Sequence, residues 1–172
     1  MRIGIFADAH DHVDNVRRAV AEFNRAGCEL VVFAGDFVTP LVVPPLRRLK
    51  CPLLACFGDA DGNKIGIQGG MRIVGTLAEP PFGFKTADGV KVLVSHVLED
   101  LRGHLDDCDV VISAHTHKPS IKRDSAGRIF LNPGEAGGWM FRKPSILILE
   151  TDPLDAHLIS LPEPEPVPTI DD

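Results

Sequence analysis

The chain opens Met1-Arg2-Ile3-Gly4-Ile5-Phe6-Ala7-Asp8-Ala9-His10, an apolar run that gives way to a carboxylate and an imidazole. Ile3 to Phe6 is a short apolar run, as a buried strand requires. Asp8 to Asp14 is polar and reads as a loop. Val13, Val16, Val20 and Phe23 then recur at helical spacing, with Arg17 and Arg18 turned outward. Asp11 or His12 can open that helix, and Gly27 can close it. Leu30 to Ala34 repeats the strand, and Gly35-Asp36 breaks it. Leu41 to Leu49 reads as a short helix begun near Pro40, and Pro52 to Phe57 as a third strand ended by Gly58-Asp59. Alternating strands and helices predict a parallel sheet with right-handed crossovers. Ligands bind such sheets beyond the carboxyl ends of the strands. Asp8, Asp36 and Asp59 each stand just past a strand end, so the three carboxylates should converge.

Downstream, strands dominate. Met71–Val74, Val90–Val94, Val110–Ile112, Ser120–Lys122, Arg128–Leu131, Ile146–Leu149 and Ala156–Ser160 are candidates, and Leu98–Leu105 reads as one more helix. Asp88-Gly89 and Ala126-Gly127 are hairpin turns. Gly66 to Gly75 holds many glycines but no G-x-G-x-x-G after a strand, so it reads as a flexible loop and not a nucleotide site. This half predicts a mixed or antiparallel sheet packed on the first. Residues 1–160 form one domain, and the Pro/Glu tail from Leu161 to Asp172 is expected to be extended or disordered, outside the core.

With 172 residues, 44% hydrophobic and 24% charged, the composition is that of an ordinary globular domain. The net charge of −6 and the lack of a basic stripe argue against a polymeric nucleic-acid partner. No apolar run approaches the ~20 residues of a membrane span, and no targeting segment is read ahead of the first strand. Cys28, Cys51, Cys56 and Cys108 form no C-x-x-C pair and lie in or beside apolar runs. They are expected to be buried reduced thiols, which suits the cytoplasm.

Chemistry concentrates in Asp8-Ala9-His10, Gly35-Asp36, Gly58-Asp59-Ala60-Asp61, Ser95-His96 and Ala114-His115-Thr116-His117. Each follows an apolar strand. In extended backbone, residues i and i+2 point the same way, so Asp8 with His10 and His115 with His117 would each offer two ligands to one side. Carboxylates and imidazoles suit manganese, iron or zinc, and the lack of nearby thiols disfavours a structural zinc site. Asp36, alone at the middle strand end, is the natural bridge between two ions. One D-x-H or G-D has little meaning alone. The joint occurrence, in order and at strand ends, points to two divalent metal ions held by Asp8, His10, Asp36, Asp59, His96, His115 and His117.

The order of these motifs resembles the calcineurin-like metallophosphoesterases, whose pattern is D-x-H, G-D, G-N-x-D, H-G-H and G-H-T-H. It looks most like the small bacterial and archaeal phosphodiesterase group that also includes the retromer's metallophosphoesterase-like subunit. Asn132-Pro133-Gly134 resembles the N-P-G of that group. The resemblance implies an α/β (α+β) fold, a two-sheet β-sandwich flanked by helices in αββα layers. It implies Asp8, His10, Asp36 and His117 on one ion, and Asp36, Asp59, His96 and His115 on the other. Manganese comes first, with iron, zinc or nickel as alternatives. It further implies that Asp36, His96 and His115 carry catalysis. The implied activity is hydrolysis of a small-molecule phosphodiester by a hydroxide shared between ions about 3.5–4 Å apart, in line with the leaving oxygen. A homo-oligomer is compatible with it.

Three departures from the family pattern stand out, the third at two positions. Asp59 replaces an Asn, adding negative charge beside an anionic substrate. Ala60 stands where many members place a His, the suspected general acid, and loss of such a group typically costs ~10²–10⁴-fold. His96-Val97-Leu98 keeps only the first His of H-G-H, and Asp11 replaces the Gly after D-x-H. His12 is a candidate proton donor, although a polar residue opening the first helix is the simpler reading. His104 and His157 match no motif and read as surface residues. The competing function is a metal-loaded scaffold, binding partners through Pro80-Pro81-Phe82 or Trp139-Met140-Phe141.

Overall fold

A computed structural model describes residues 1–161. Two mixed sheets pack face to face, and helices cover the outside of the first. The opening stretch forms β1 (Arg2–Phe6), followed by α1 (Val13–Ala26), β2 (Leu30–Phe33), a 3₁₀ turn (Pro40–Val42) running into α2 (Val43–Leu46), and β3 (Leu53–Cys56). Helix α3 (Lys64–Val74) leads to β4 (Thr76–Ala78). Strands β1 to β4 are parallel neighbours, and β10 (Ser145–Thr151) and β11 (Leu154–Ser160) add antiparallel at the β1 edge. The second sheet runs β5 (Phe82–Lys85), β6 (Lys91–Val94), β7 (Val110–Ile112), β9 (Ile129–Asn132) and β8 (Ser120–Arg123).

Strand alternation divides the core in two. Ile3, Ile5, Val32, Val94, Ile112, Leu131 and Leu149 fill the space between the sheets. Phe6, Phe33 and Phe37 face the helices and stack with centroids 4.1 and 4.0 Å apart. Phe23 of α1 lies so close to β1 that a Cβ on Gly4 would come within 2.4 Å of its ring, so only glycine fits there. Helix α1 ends as its sequence dictates, on Gly27 in the left-handed conformation.

The structure corrects several expectations. Gly66 to Gly75 is not a flexible loop, and Met71–Val74 is not a strand, because both belong largely to α3. Two of its three glycines serve close packing: a Cβ on Gly66 would meet Pro40 at 2.6 Å, and one on Gly70 would meet Val43 at 2.9 Å. Tertiary contact thus outweighs poor helix propensity. Leu98–Leu105 is not one helix but two 3₁₀ turns, Leu98–Leu101 and Leu105–Asp107, with left-handed Gly103 between them. Strands β4 and β5 were not foreseen. Phe82, offered as part of a binding patch, packs against the inter-sheet core. Leu161, assigned to the tail, is only 4% exposed and joins the core. The rest of the tail, 162–172, lies outside the described residues. Both hairpin turns form, each on a left-handed glycine (Gly89, Gly127). All four cysteines are free, two buried and two half-buried. Among the described residues no helix is long and apolar enough to cross a membrane.

Candidate metal centre

All seven expected ligands come together beyond the carboxyl ends of β1, β2 and β3 in one sheet and of β6 and β7 in the other. Their donor atoms form three overlapping groups, each lying within 4.8 Å: Asp8, His10, His117; Asp8, Asp36, His96; and Asp59, His96, His115. Asp36 stands in the middle, its Oδ2 3.3 Å from His10 Nε2 and 3.4 Å from His96 Nε2. Asp59 Oδ1 lies 3.0 Å from both His96 Nε2 and His115 Nδ1. The His10 and His117 rings stack at 5.0 Å.

The route to this convergence differs from the expected one. The ligands do not alternate along extended strands. Asp8, His10, Asp36, His115 and His117 all have positive φ, between 41° and 65°. Such conformations are uncommon outside glycine, though Asp, Asn and His adopt them most readily. Each loop therefore curls as it leaves its strand and turns its donors inward. The main chain holds the curls: Asp8 N–H donates to the Gly35 carbonyl at 3.1 Å, and the N–H groups of Ala9 and His10 donate to the Asp36 carbonyl. Gly35 and Gly58 let two loops touch backbone to backbone. A Cβ on Gly35 would sit 2.7 Å from His96 Nδ1, and one on Gly58 would sit 2.1 Å from Asp36 Oδ1.

Surrounding hydrogen bonds fix the imidazoles. His96 Nδ1 lies 2.7 Å from the Ala34 carbonyl, which can only accept, so the proton is on Nδ1 and Nε2 is left as a donor atom for a metal. His117 Nδ1 donates to Glu135 Oε2 at 3.0 Å, with the same result. Glu135 is 1% exposed and also accepts the Met140 and Phe141 N–H groups. Burial acts to raise its pKa, but His117 and the two amides outweigh it and keep Glu135 ionised. Asp61 accepts N–H groups from Val38 and Gly58, bracing the loops after β2 and β3. Asn132 donates to the Ala114 carbonyl and Thr116 Oγ1, bracing the loop after β7.

The sequence alone does not single out Glu135, and it marks Asp61 within Gly58-Asp59-Ala60-Asp61 without giving it this bracing role. Glu135 follows the noted Asn-Pro-Gly, but nothing local marks it as buried. His12 caps α1 by accepting the Asn15 N–H on Nδ1 and lies 4.9 Å from Trp139, in keeping with the simpler of its two readings. His104 and His157 are exposed.

The centre's polar atoms are not self-sufficient. Asp8 Oδ1 and Oδ2, His10 Nε2 and His96 Nε2 are buried without a hydrogen-bond partner among the described residues. Each such atom typically costs about 1–3 kcal/mol, a heavy load on a fold worth 5–15 kcal/mol. Burial pushes the Asp8 carboxyl up to about 6. Burial also opposes charge on His96, yet Asp36, the Ala34 carbonyl and Asp8 hold its pKa at about 9. Carboxylates and imidazoles that lack partners and share one cavity fit divalent cations, whose charge would balance Asp8, Asp36 and Asp59.

Comparisons with known proteins agree. The family model for the calcineurin-like phosphoesterase superfamily domain matches residues 1–153. A phosphodiesterase of Methanocaldococcus jannaschii is 31% identical over 159 residues, covering 88% of this chain and 94% of the relative. A solved archaeal phosphodiesterase superposes with a TM-score of 0.85 at 28% identity, covering 94% of this chain and all of that one. Vps29 of Chaetomium thermophilum shares the fold, with a TM-score of 0.63 at 13% identity, over 93% of this chain and 94% of that one. A two-sheet sandwich with helices on its flank, a dense set of carboxylate and imidazole donors at the strand ends, and a family match along most of its length have one explanation: the chain belongs to the calcineurin-like phosphoesterase superfamily, as a phosphoesterase.

Proposed function

We propose that the chain hydrolyses small phosphodiesters with two divalent ions, manganese first and iron, zinc or nickel as alternatives. Asp8, His10, Asp36 and His117 hold one ion, and Asp36, Asp59, His96 and His115 hold the other. The observation that carries this reading is the set of orphaned buried atoms on Asp8, His10 and His96 around a central Asp36. Bound there, such ions supply Lewis acidity and positive charge to a phosphoryl group.

The chain's own residues do the positioning. Asp36 Oδ1 accepts the Ala60 N–H at 3.0 Å, which aims Oδ2 between His10 and His96. His96 is buried, whereas His115 is half exposed and lines an open cleft. Asp36, His96 and His115 are accordingly the residues assigned to catalysis. No proton donor occupies position 60, and His12 is committed to its helix, so esters with good leaving groups are favoured. The exposed Trp139-Met140-Phe141 segment is tied to the same centre: the Trp139 indole N–H donates to the His10 carbonyl, and the next two N–H groups rest on Glu135. It is built as a rim of the site, which favours the enzyme over a scaffold whose patch stands apart. The free cysteines are consistent with residence in the cytoplasm.

The test is turnover of bis-nitrophenyl phosphate by the manganese-loaded chain. Activity no greater than that of Asp36→Asn would sink the proposal.

A further inference from the structure

A cleft of about 740 Å³ opens from His115 along the outer face of the second sheet, within the range of small-molecule sites. Strand alternation builds it. Ser120 and Lys122 alternate along β8 and so share a face, and Lys118 lines the same cleft from the loop before that strand. Across the antiparallel pair with β9, Lys122 lies opposite Phe130 and Ser120 opposite Asn132. The floor is thus an aromatic ring with lysine stems beside it, and Leu98 of the first 3₁₀ turn contributes to the facing wall.

The charges in this cleft are unevenly spent. Arg123 pairs with Asp155, and Asp124 with Arg128. Lys118 and Lys122 form no ion pair among the described residues; the Lys118 ammonium lies 5.5 Å from the Phe141 ring centroid. Only Glu99 opposes them with an unpaired carboxylate, so the lysines outnumber it in a chain whose net charge is −6. Two unspent cations beside an apolar ring, in a cavity that reaches a metal-ligand candidate, suit a ligand that is flat at one point and anionic at another.

We infer that this cleft receives the far arm of a phosphodiester, placing a flat apolar ring against Phe130 and Leu98 and a second anionic group between Lys118 and Lys122. The inference rests on the phosphodiesterase reading, and names the substrate class as diesters with a ring and a further negative charge.

The test measures binding of three probes to the manganese-loaded full chain by calorimetry: inorganic phosphate, adenosine monophosphate and adenosine 3′,5′-bisphosphate. The bisphosphate should bind about tenfold tighter than the monophosphate, the size of one charge-assisted contact. Lys122→Ala, at an exposed position, should erase that gap and leave inorganic phosphate unchanged. Phe130→Leu, which keeps apolar volume, should weaken both nucleotides relative to phosphate. Equal affinity for all three probes overturns the inference, as does a gap that survives loss of both Lys118 and Lys122. If bis-nitrophenyl phosphate is turned over while the gap is missing, only the cleft assignment falls. If that diester is not turned over and phosphate does not bind, the phosphodiesterase reading has failed first.

Discussion

Replacing Glu135 by Gln should weaken metal binding while leaving the fold intact. Glu135 Oε2 accepts both His117 Nδ1–H, at 3.0 Å, and the Met140 N–H, at 2.9 Å, and Oε1 accepts the Phe141 N–H at 2.6 Å. Glutamine has one oxygen for these three donors. If its amide nitrogen faces Phe141, one N–H loses its acceptor. If it faces His117, that imidazole must move its proton to Nε2, the atom needed for a metal. Either placement leaves an unpaired group in a nearly buried site, a cost of about 1–3 kcal/mol in stability. For a domain of this size, that lowers Tm by about 2–4 °C for each kcal/mol. Loss of a histidine's carboxylate partner typically costs about 10–100-fold in metal affinity, which is about 1.4–2.7 kcal/mol. The assay is competition for manganese against a chelator, run beside thermal melts of the metal-free proteins. A variant that melts lower but binds manganese as tightly as the parent would show that Glu135 supports only the 137–143 loop, and the reasoning about His117 would be refuted.

Three further outcomes are expected. The folded pKa of Asp8, about 6, lies above its ordinary 3.8, and that of His96, about 9, lies above 6.5, so both groups stabilise the metal-free fold when protonated and lose that contribution as pH rises through those values. Metal needs both groups deprotonated, so the Tm gain on adding manganese to chelator-treated protein should grow between about pH 5 and about pH 9, and a flat or shrinking gain would count against the site. Asp59→Asn removes a charge from a side chain that is 57% exposed; at about 4 Å in a water-like dielectric the relief is ~1 kcal/mol, so kcat/KM for an anionic diester should rise about fivefold and the gain should shrink in high salt. Gly58→Ala should displace Asp36, costing about 1–3 kcal/mol and most of the manganese affinity, whereas Gly69→Ala, with nothing within 4 Å of the new Cβ, should stabilise α3 by up to about 1 kcal/mol; equal melts for the two variants would refute the close-contact account.

The strands that carry the centre were legible because each is an apolar run cut short by a polar residue, and Val110–Ile112 coincides with the expected strand. The seven donors were legible for the same reason, since all follow such runs. The curl that aims them was not. Positive φ at Asp8 and His10 goes with main-chain bonds to the Gly35-Asp36 loop, distant in sequence, which spacing along one strand does not encode. Helix α3 was hidden by glycines whose purpose appears only when Pro40 and Val43 lie against them. Glu135 was hidden because a carboxylate after a turn is ordinary, and only the fold buries it beneath His117.

The contact between Gly35 and Gly58 separates two properties that metal centres often share. The interval between the loops after β2 and β3 is set by main chain meeting main chain, because neither residue has a side chain to act as a spacer. Donor identity at the tips of these loops can therefore drift without altering that interval. Asp59 in place of asparagine is a change of this kind: it leaves an oxygen within reach of His96 and His115 and alters only the charge. The frame holds the distances constant, and the residues mounted on it tune which anions it will tolerate.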